Sequence, residues 1–332
     1  MQFSIIVPVF NRPDEMNELL ESLVHQNYKE DYEIVIVEDG STSSCENVVD
    51  KFKHKLNISY YLKYNSGPGD SRNFGMSLAK GDYFILFDSD CIIPSNYLSE
   101  LSINLKKNYV DFYGGPDNAR KNFSDVQKAI NFAMTSFLTT GGIRGGTEKL
   151  STFEPRSFNM GISREAFNVS RGFGNIHPGE DPDLSIRLWK LGFKSRLIHE
   201  VFVYHKRRID FKKFSKQVDK FGKARPILSL WHPEYNKIIY FLPSFFVIGF
   251  GTAIFLLIML FDWLFKLYCL YFFLIFIVSA LQYRNILIGY YSVIAVWKQF
   301  FGYGLGFIKS FYKINILRQK PQNAFPELFF KV

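Results

Sequence analysis

Cysteine is scarce in this chain: three residues in 332, Cys45, Cys91 and Cys269, at separations that form no metal-binding or disulfide pattern. That excludes a paired-thiolate zinc centre and a disulfide framework, and it suits a reducing compartment. A secretory leader pattern is also missing. The first apolar run, Ile5 to Phe10, is short, has no basic residue ahead of it and ends in Asn11-Arg12-Pro13-Asp14, so it reads as a strand. Charge is absent from one long stretch. Ile238 to Phe261 carries no Asp, Glu, Lys or Arg, and it is long enough to cross a bilayer as a helix.

What the chain has in excess is positive charge, +9 net, concentrated just before that apolar stretch. Lys206, Arg207, Arg208, Lys212, Lys213, Lys216, Lys220, Lys223 and Arg225 face only Asp210 and Asp219 in the same block. A basic block beside apolar spans reads as a cytoplasmic juxtamembrane segment, which makes nucleic acid the weaker partner. Within it Phe211, Phe214, Val218 and Phe221 recur at helical spacing. That pattern predicts a basic amphipathic helix lying on an anionic membrane face, with a soluble core helix as the alternative.

A second candidate span, Trp263 to Tyr283, follows a turn at Asp262-Trp263. Segment 286–311 contains Lys298, Gln299 and four glycines (Gly289, Gly302, Gly304, Gly306), and it reads as interfacial or re-entrant. The basic residues Lys309, Lys313, Arg318 and Lys320 beyond it belong on the side of the earlier basic block by the positive-inside rule. The expected layout is a catalytic domain at 1–205, a basic interfacial segment at 206–235 and a membrane region at 236–332, with spans at 238–261 and 263–283. The catalytic domain is expected at the cytoplasmic face of the inner membrane.

The first half alternates apolar β-branched runs with helical patterns. Strands are expected at Phe3–Phe10, Glu33–Val37, Ile58–Leu62 and Tyr83–Phe87, with helices at Pro13–Gln26, Cys45–Lys53 and Ser71–Ala79 between them. This order predicts an α/β fold with a mostly parallel open sheet, flanking helices, and ligands at the carboxyl ends of the strands. Asn11-Arg12, Glu38-Asp39 and Asp88-Ser89-Asp90 each fall at such an end. A further acidic run, Gly179-Glu180-Asp181-Pro182-Asp183, opens a predicted helix. Alone it is compatible with an ordinary helix N-terminus, where carboxylates favour the dipole. With the Asp88–Asp90 cluster it suggests a division of labour: one cluster for a metal and a diphosphate, the other for removing a proton.

Six segments then stand in a telling order: Ile6-Val7-Pro8-Val9-Phe10-Asn11-Arg12, Val37-Glu38-Asp39-Gly40-Ser41, Gly67-Pro68-Gly69-Asp70-Ser71-Arg72-Asn73, Phe87-Asp88-Ser89-Asp90, Phe158-Asn159-Met160-Gly161 and Gly179-Glu180-Asp181-Pro182. Together they resemble the family 2 glycosyltransferases, membrane-attached enzymes with an A-type nucleotide-sugar fold. The resemblance covers roughly residues 2–225. Two departures stand out. Glu38 replaces the first Asp of the family's Asp-Asp-Gly-Ser, and the Gln-x-x-Arg-Trp of processive polymer synthases is absent from Gln217–Pro226.

The resemblance implies that Asp39 contacts uracil or a similar base, where a turn-forming Asp before Gly40-Ser41 is the alternative. Pro8, Phe10 and Arg12 line the same pocket. Arg72 reaches the diphosphate or sugar unless it is spent in a salt bridge. Asp88 contacts ribose or sugar, and Asp90 holds a divalent ion, Mg²⁺ or Mn²⁺, which suits carboxylate and phosphate oxygens. His205 is a further ligand to metal or diphosphate, although a lone His is more often structural. Asp181 is the general base and Glu180 contacts the acceptor or orients the base. Asp183 and Arg187 read as a helix-stabilising (i, i+4) pair. The expected reaction is inverting transfer from a nucleotide diphosphosugar to a lipid-linked or surface-glycan acceptor. A polyprenyl-phosphate monosaccharide synthase and a non-catalytic sugar-nucleotide-binding partner are the alternatives.

Overall fold

The computed structural model describes residues 1–118, 123–141, 153–205 and 210–330. The glycine-rich stretch 139–147, whose composition predicts a loop, lies mostly outside the described residues, as do Lys206, Arg207 and Arg208 of the basic block. The chain divides into two compact units. One comprises Met1–Arg120, Glu148–Lys206 and Phe329–Val332, and the other Lys121–Thr147 and Arg207–Leu328.

The first unit begins β1 (Phe3–Val9), α1 (Pro13–Val24), β2 (Tyr32–Asp39), α2 (Glu46–Asp50), β3 (Ile58–Lys63), α3 (Pro68–Leu78) and β4 (Tyr83–Phe87). After β5 (Cys91–Ile92), α4 (Tyr97–Lys107), β6 (Phe112–Gly114) and β7 (Asp117–Asn118), the chain contributes α5 (Asp125–Thr135) and α6 (Phe137–Thr140) to the second unit. It returns with β8 (Asn159–Ser163), α7 (Arg164–Ser170), α8 (Glu180–Lys190), β9 (Ser195–Leu197) and β10 (Val203–His205).

The main sheet has the order β3-β2-β1-β4-β8-β6-β9. Strands β3, β2, β1 and β4 are mutually parallel, and β8 runs antiparallel to both β4 and β6. Every residue of β1 is buried, as a strand covered on both faces requires. Its side chains alternate between two cores. Ile5 and Val7 pack with Leu19, Leu20, Leu98 and Leu101 from α1 and α4. Ile6 joins Met76 of α3 and Leu184 and Leu188 of α8. The order reverses at β1, so β1, β2 and β4 all deliver their carboxyl ends to one side of the sheet.

The residues of 194–204 predict an extended run, which in the structure divides in two. β9 closes the main sheet, whereas β10 joins a separate three-stranded sheet of order β5-β10-β7. That small sheet pairs His205 with Cys91, antiparallel, and thereby brings a distant histidine beside the Asp88–Asp90 segment.

The second unit adds α9 (Phe211–Trp231), α10 (Leu242–Ile258), α11 (Trp263–Tyr283), α12 (Ile286–Phe311) and α13 (Pro321–Ala324). Ile238–Ile258 and Trp263–Tyr283 are long and apolar enough to cross a membrane, with mean hydropathy 2.3 and 2.2 and little of either buried. Segment 286–311, expected to be interfacial or re-entrant, is one continuous helix of 26 residues, α12. Its glycines do not break it, and all four meet neighbours at close quarters: a Cβ on Gly289 would press on Ala280 and the Phe276 carbonyl. A Cβ on Gly302 would press on Val218, one on Gly304 on the Pro243 carbonyl, and one on Gly306 on the Asp219 carbonyl. The predicted amphipathic helix is present as α9. Phe214, Val218 and Gly222 of α9 are buried against α12, so part of the apolar stripe packs on a helix partner, while Phe211 and Phe221 stay half-buried.

Candidate active site

Asp39 is the last residue of β2 and is 4% exposed. Its Oδ1 accepts hydrogen bonds from Lys63 Nζ (2.9 Å) and the Ser66 amide (3.0 Å), and its Oδ2 from the Gly67 amide (2.9 Å). A carboxylate offers about four acceptor directions, so one on Oδ2 remains for an outside N–H. Glu38, on the opposite face by strand alternation, is buried and accepts the Cys45 amide (2.7 Å) and the Tyr60 hydroxyl. The longer Glu thus ties the start of α2 to β3. Its substitution for Asp leaves the Asp39 position intact.

The loop after β1 is held by Asn11, a residue with left-handed backbone (φ 54°). Its Oδ1 accepts from the Thr42 amide (2.8 Å), the Thr42 hydroxyl (3.0 Å) and the Ser43 amide (2.9 Å). Pro8 is buried within β1 in register with Val37, while Phe10 is 47% exposed. Arg12 turns inward and forms an ion pair with Asp90.

Two rows of charge follow. In the first, Asp90 sits between Arg12 and His205, whose Nε2 lies 3.1 Å from Asp90 Oδ1. Burial opposes ionisation of Asp90, but His205 and then Arg12 outweigh it and hold the carboxyl well below the usual range. The Phe158 ring stacks on His205 at 4.5 Å and fixes the imidazole plane.

In the second row, Arg72 lies in the first turns of α3, its side chain 3% exposed. Its Nη2 donates to Asp88 Oδ1 (2.6 Å), its Nη1 lies 3.8 Å from Glu180 Oε1, and the guanidinium rests 5.4 Å from the Phe173 ring centre. Nε and Nη1 are buried with no hydrogen-bond partner among the described residues. A buried guanidinium is rarely left half-satisfied, and among the described residues nothing completes it beyond the charge of Glu180.

Helix α8 opens at Gly179, whose φ of 129° only glycine adopts without strain. Glu180 pairs with His177 Nδ1 at 2.8 Å, a partner that sequence reasoning missed. Burial would raise the Glu180 pKa, but His177 and then Arg72 pull it below the ordinary value. Asp181 accepts one bond, from the Ser157 amide to Oδ2 (3.2 Å), and its buried Oδ1 has no hydrogen-bond partner among the described residues. Burial, followed by the negative charge of Glu180, pushes Asp181 up to about 6. Two adjacent carboxylates are therefore driven apart, one charged and one poised near neutrality, as in acid–base sites. Asp183 instead binds Arg187 (2.9 Å), which also caps the Ser170 and Gly172 carbonyls. That pair holds the helix.

The donor set around Asp90 fits a hard divalent ion. Asp90 and His205 offer a carboxylate oxygen and an imidazole nitrogen within 4.8 Å. The third neighbour, Cys91, does not fit: burial and then Asp90 raise its thiol well above the ordinary value, and its Sγ–H points to the Phe158 carbonyl. A neutral thiol is a poor ligand for Mg²⁺ or Mn²⁺.

A mixed α/β sheet with these acidic strand ends defines the A-type class of nucleotide-sugar transferase folds. The chain belongs to glycosyl transferase family 2, whose sequence model matches residues 4–170. Over 114 residues it is 36% identical to the poly(ribitol-phosphate) beta-N-acetylglucosaminyltransferase TarS of Staphylococcus aureus, covering 33% of this chain and only 20% of that protein. It is 28% identical over 211 residues to the GalNAc(5)-diNAcBac-PP-undecaprenol beta-1,3-glucosyltransferase of Campylobacter jejuni, covering 60% of this chain and 63% of the relative. Among solved structures, the mannosyltransferase PcManGT from Pyrobaculum calidifontis in complex with GDP-Man and Mn²⁺ has a TM-score of 0.63 at 15% identity, covering 90% of this chain and 86% of that one. TarS residues 1–349 in complex with UDP-GlcNAc give 0.54 at 21% identity over 69% and 66%. Both structural likenesses concern the fold.

Proposed function

We propose that this chain is an inverting glycosyltransferase that moves a sugar from a nucleotide diphosphosugar to a lipid-linked or surface-glycan acceptor at the cytoplasmic membrane face. The observation that carries the reading is Asp181, a carboxyl poised at about 6 with a buried, unpartnered Oδ1 among the described residues, on the helix that also faces the Arg72 guanidinium. A general base works best with a pKa near the operating pH. Asp181 accepts the proton of the acceptor hydroxyl as that oxygen bonds to the anomeric carbon. The bond from that carbon to the diphosphate breaks on the opposite face, and the electron pair leaves with the nucleoside diphosphate. Glu180, kept charged by His177 and Arg72, sustains the basicity of its neighbour.

Arg72 directs its free N–H groups to the diphosphate, and Asp88 aligns that guanidinium. Asp39, with one acceptor direction left, takes the N–H of the base, beside a wall of Pro8, Phe10 and Arg12. Asp90 and His205 would hold a divalent ion, which supplies charge neutralisation for the departing diphosphate. For Asp90 to do so, Arg12 releases its carboxylate and becomes available to phosphate.

PcManGT with GDP-Man and Mn²⁺ and TarS with UDP-GlcNAc support a nucleotide-sugar donor and a metal. The undecaprenol-linked acceptor in the name of the Campylobacter relative favours a lipid-linked glycan over a polyprenyl monophosphate. The two exposed apolar helices support membrane attachment. The test is release of nucleoside diphosphate by purified full-length protein in detergent with Mn²⁺, a panel of UDP- and GDP-sugars, and undecaprenyl-diphosphate-linked saccharides. Transfer with inverted anomeric configuration is expected. Absence of turnover with every pair, alongside nucleotide-sugar binding, would favour a non-catalytic binding partner.

A further inference from the structure

A short segment far from these motifs in sequence reaches the first unit beside them. Asn175 binds both main-chain groups of Phe330: its Nδ2 donates to the Phe330 carbonyl (2.8 Å) and its Oδ1 accepts from the Phe330 amide (2.9 Å). One side chain thus satisfies a whole peptide position, as a strand neighbour would. The Phe330 ring then occupies the space over Gly67. A Cβ at Gly67 would collide with that ring, and Gly67 also has a φ of 95°. On its other side the ring approaches the His177 imidazole, centre to centre 6.1 Å.

Both contacts lead inward by one further bond. The Gly67 amide is one of the three donors that fix Asp39, and His177 is the partner of Glu180. Gly67 precedes α3, which carries Arg72, while His177 precedes α8, which carries Glu180 and Asp181. The ring is therefore wedged between the two turns that start the site's two functional helices. The surrounding residues are fitted to it. Gly67 must lack a side chain for the ring to sit there, and Asn175 is exposed yet spends both its polar atoms on this one clamp.

We infer that Phe330 is a positioning residue for the proposed transfer, clamping the Gly67 turn beneath Asp39 and His177 beside Glu180. The inference rests on the proposed function for its catalytic arm only. Donor-side geometry acts through the Asp39 and Arg72 turn, and base-side geometry through Glu180. Loss of the ring therefore weakens nucleotide binding and slows turnover together, whereas a residue serving only the fold would lower the active fraction and leave affinity and KM unchanged.

The experiment uses full-length protein in detergent carrying Phe330→Ala, Phe330→Tyr or Asn175→Ala. Binding of UDP and of GDP with Mn²⁺ is measured by calorimetry, KM and kcat with the active donor, and hydrogen exchange over 64–72, 175–182 and the β1–β2 core. For Phe330→Ala and Asn175→Ala the expected result is at least about fivefold weaker nucleotide binding, a higher donor KM and lower kcat. Faster exchange should be confined to 64–72 and 175–182. Phe330→Tyr, which keeps the ring, should restore all of these. Unchanged affinity and kinetics in Phe330→Ala would overturn the inference, as would exchange rising equally in the β1–β2 core. If the wild type bound neither nucleotide, the nucleotide-sugar reading would fail, and unchanged exchange at 64–72 and 175–182 would separately refute the clamp.

Discussion

Replacing Asp181 with Asn should make the protein more stable and nearly inactive at once. The native carboxyl is raised from 3.8 to about 6, first by burial and then by Glu180. Each tenfold change in proton affinity is worth about 1.4 kcal/mol, so ionising Asp181 in the folded protein costs roughly 3 kcal/mol relative to the unfolded chain. Asp181 retains some solvent contact, and screening reduces the figure to about 1–3 kcal/mol. The sign follows from linkage. Below pH 3.8 the group is protonated in both states and exacts no penalty. The penalty grows as pH rises from 3.8 to about 6 and is complete above that. Asparagine keeps the shape without the charge. Asp181→Asn should therefore melt roughly 2–12 °C above wild type at pH 8, at about 2–4 °C per kcal/mol for a domain of this size. The gap should vanish near pH 4. Turnover should fall by about 10²–10⁴, the usual loss for a general base, while UDP or GDP affinity changes little. Scanning calorimetry at both pH values and initial-rate kinetics supply the readouts. An Asn variant no more stable than wild type at pH 8 would refute the electrostatic account, and near-wild-type turnover would remove Asp181 from the chemistry.

Wild-type kcat/KM should lose activity on an acid limb centred near pH 6, as protonation of Asp181 removes the base; a flat profile between pH 5 and 8 contradicts that role. Asp90→Ala should abolish Mn²⁺-dependent nucleotide binding by calorimetry and reduce transfer to background, whereas full wild-type activity in excess chelator would dismiss the metal. Gly222→Val drives a Cβ into the Tyr303 carbonyl and should destabilise the α9–α12 pair by roughly 1–3 kcal/mol, read as a lower melting temperature in detergent. Full-length protein should remain in the membrane pellet after an alkaline carbonate wash; recovery in the supernatant would remove the two apolar helices as spans.

The parts of the fold set by local patterning were readable in the sequence. Buried β-branched runs such as Ile5–Val9 and Ile34–Val37 marked the parallel strands, and the polar residues after them marked the crevice. The parts that depend on pairing between distant residues were not. His177 lies three residues before Glu180 in a run of glycines and a proline, and nothing in its spacing signals that its ring holds that carboxylate. Glu38 looked like a departure from the family pattern. The structure gives it separate work, binding the Cys45 amide and the Tyr60 hydroxyl. The amphipathic stripe of α9 was visible, but periodicity reports an apolar face without naming what covers it. Four glycines in α12 suggested an interfacial or re-entrant segment when read along the chain; in three dimensions each marks close approach to a neighbour.

Arg72 links the donor side of the crevice to its base, and its loss should therefore act in two ways. The guanidinium is held by Asp88 and faces Glu180, and its positive charge also lowers the pKa of Asp181 against burial and Glu180. Replacing it with methionine keeps the length and much of the volume but removes the charge. Donor binding should weaken because the diphosphate loses its guanidinium partner, and the acid limb of turnover should move to higher pH because Asp181 loses a neighbour that favoured its charged form. At pH 7 these effects compound. At pH 8.5 only the first remains, so kcat at saturating donor should recover while donor KM stays raised. Arg72→Lys restores the charge without the planar fork and should return the acid limb toward wild type with KM only partly restored. If Arg72→Met lost activity equally at both pH values with an unmoved limb, Arg72 would be a donor anchor alone, and the coupling between the two halves of the site would be wrong.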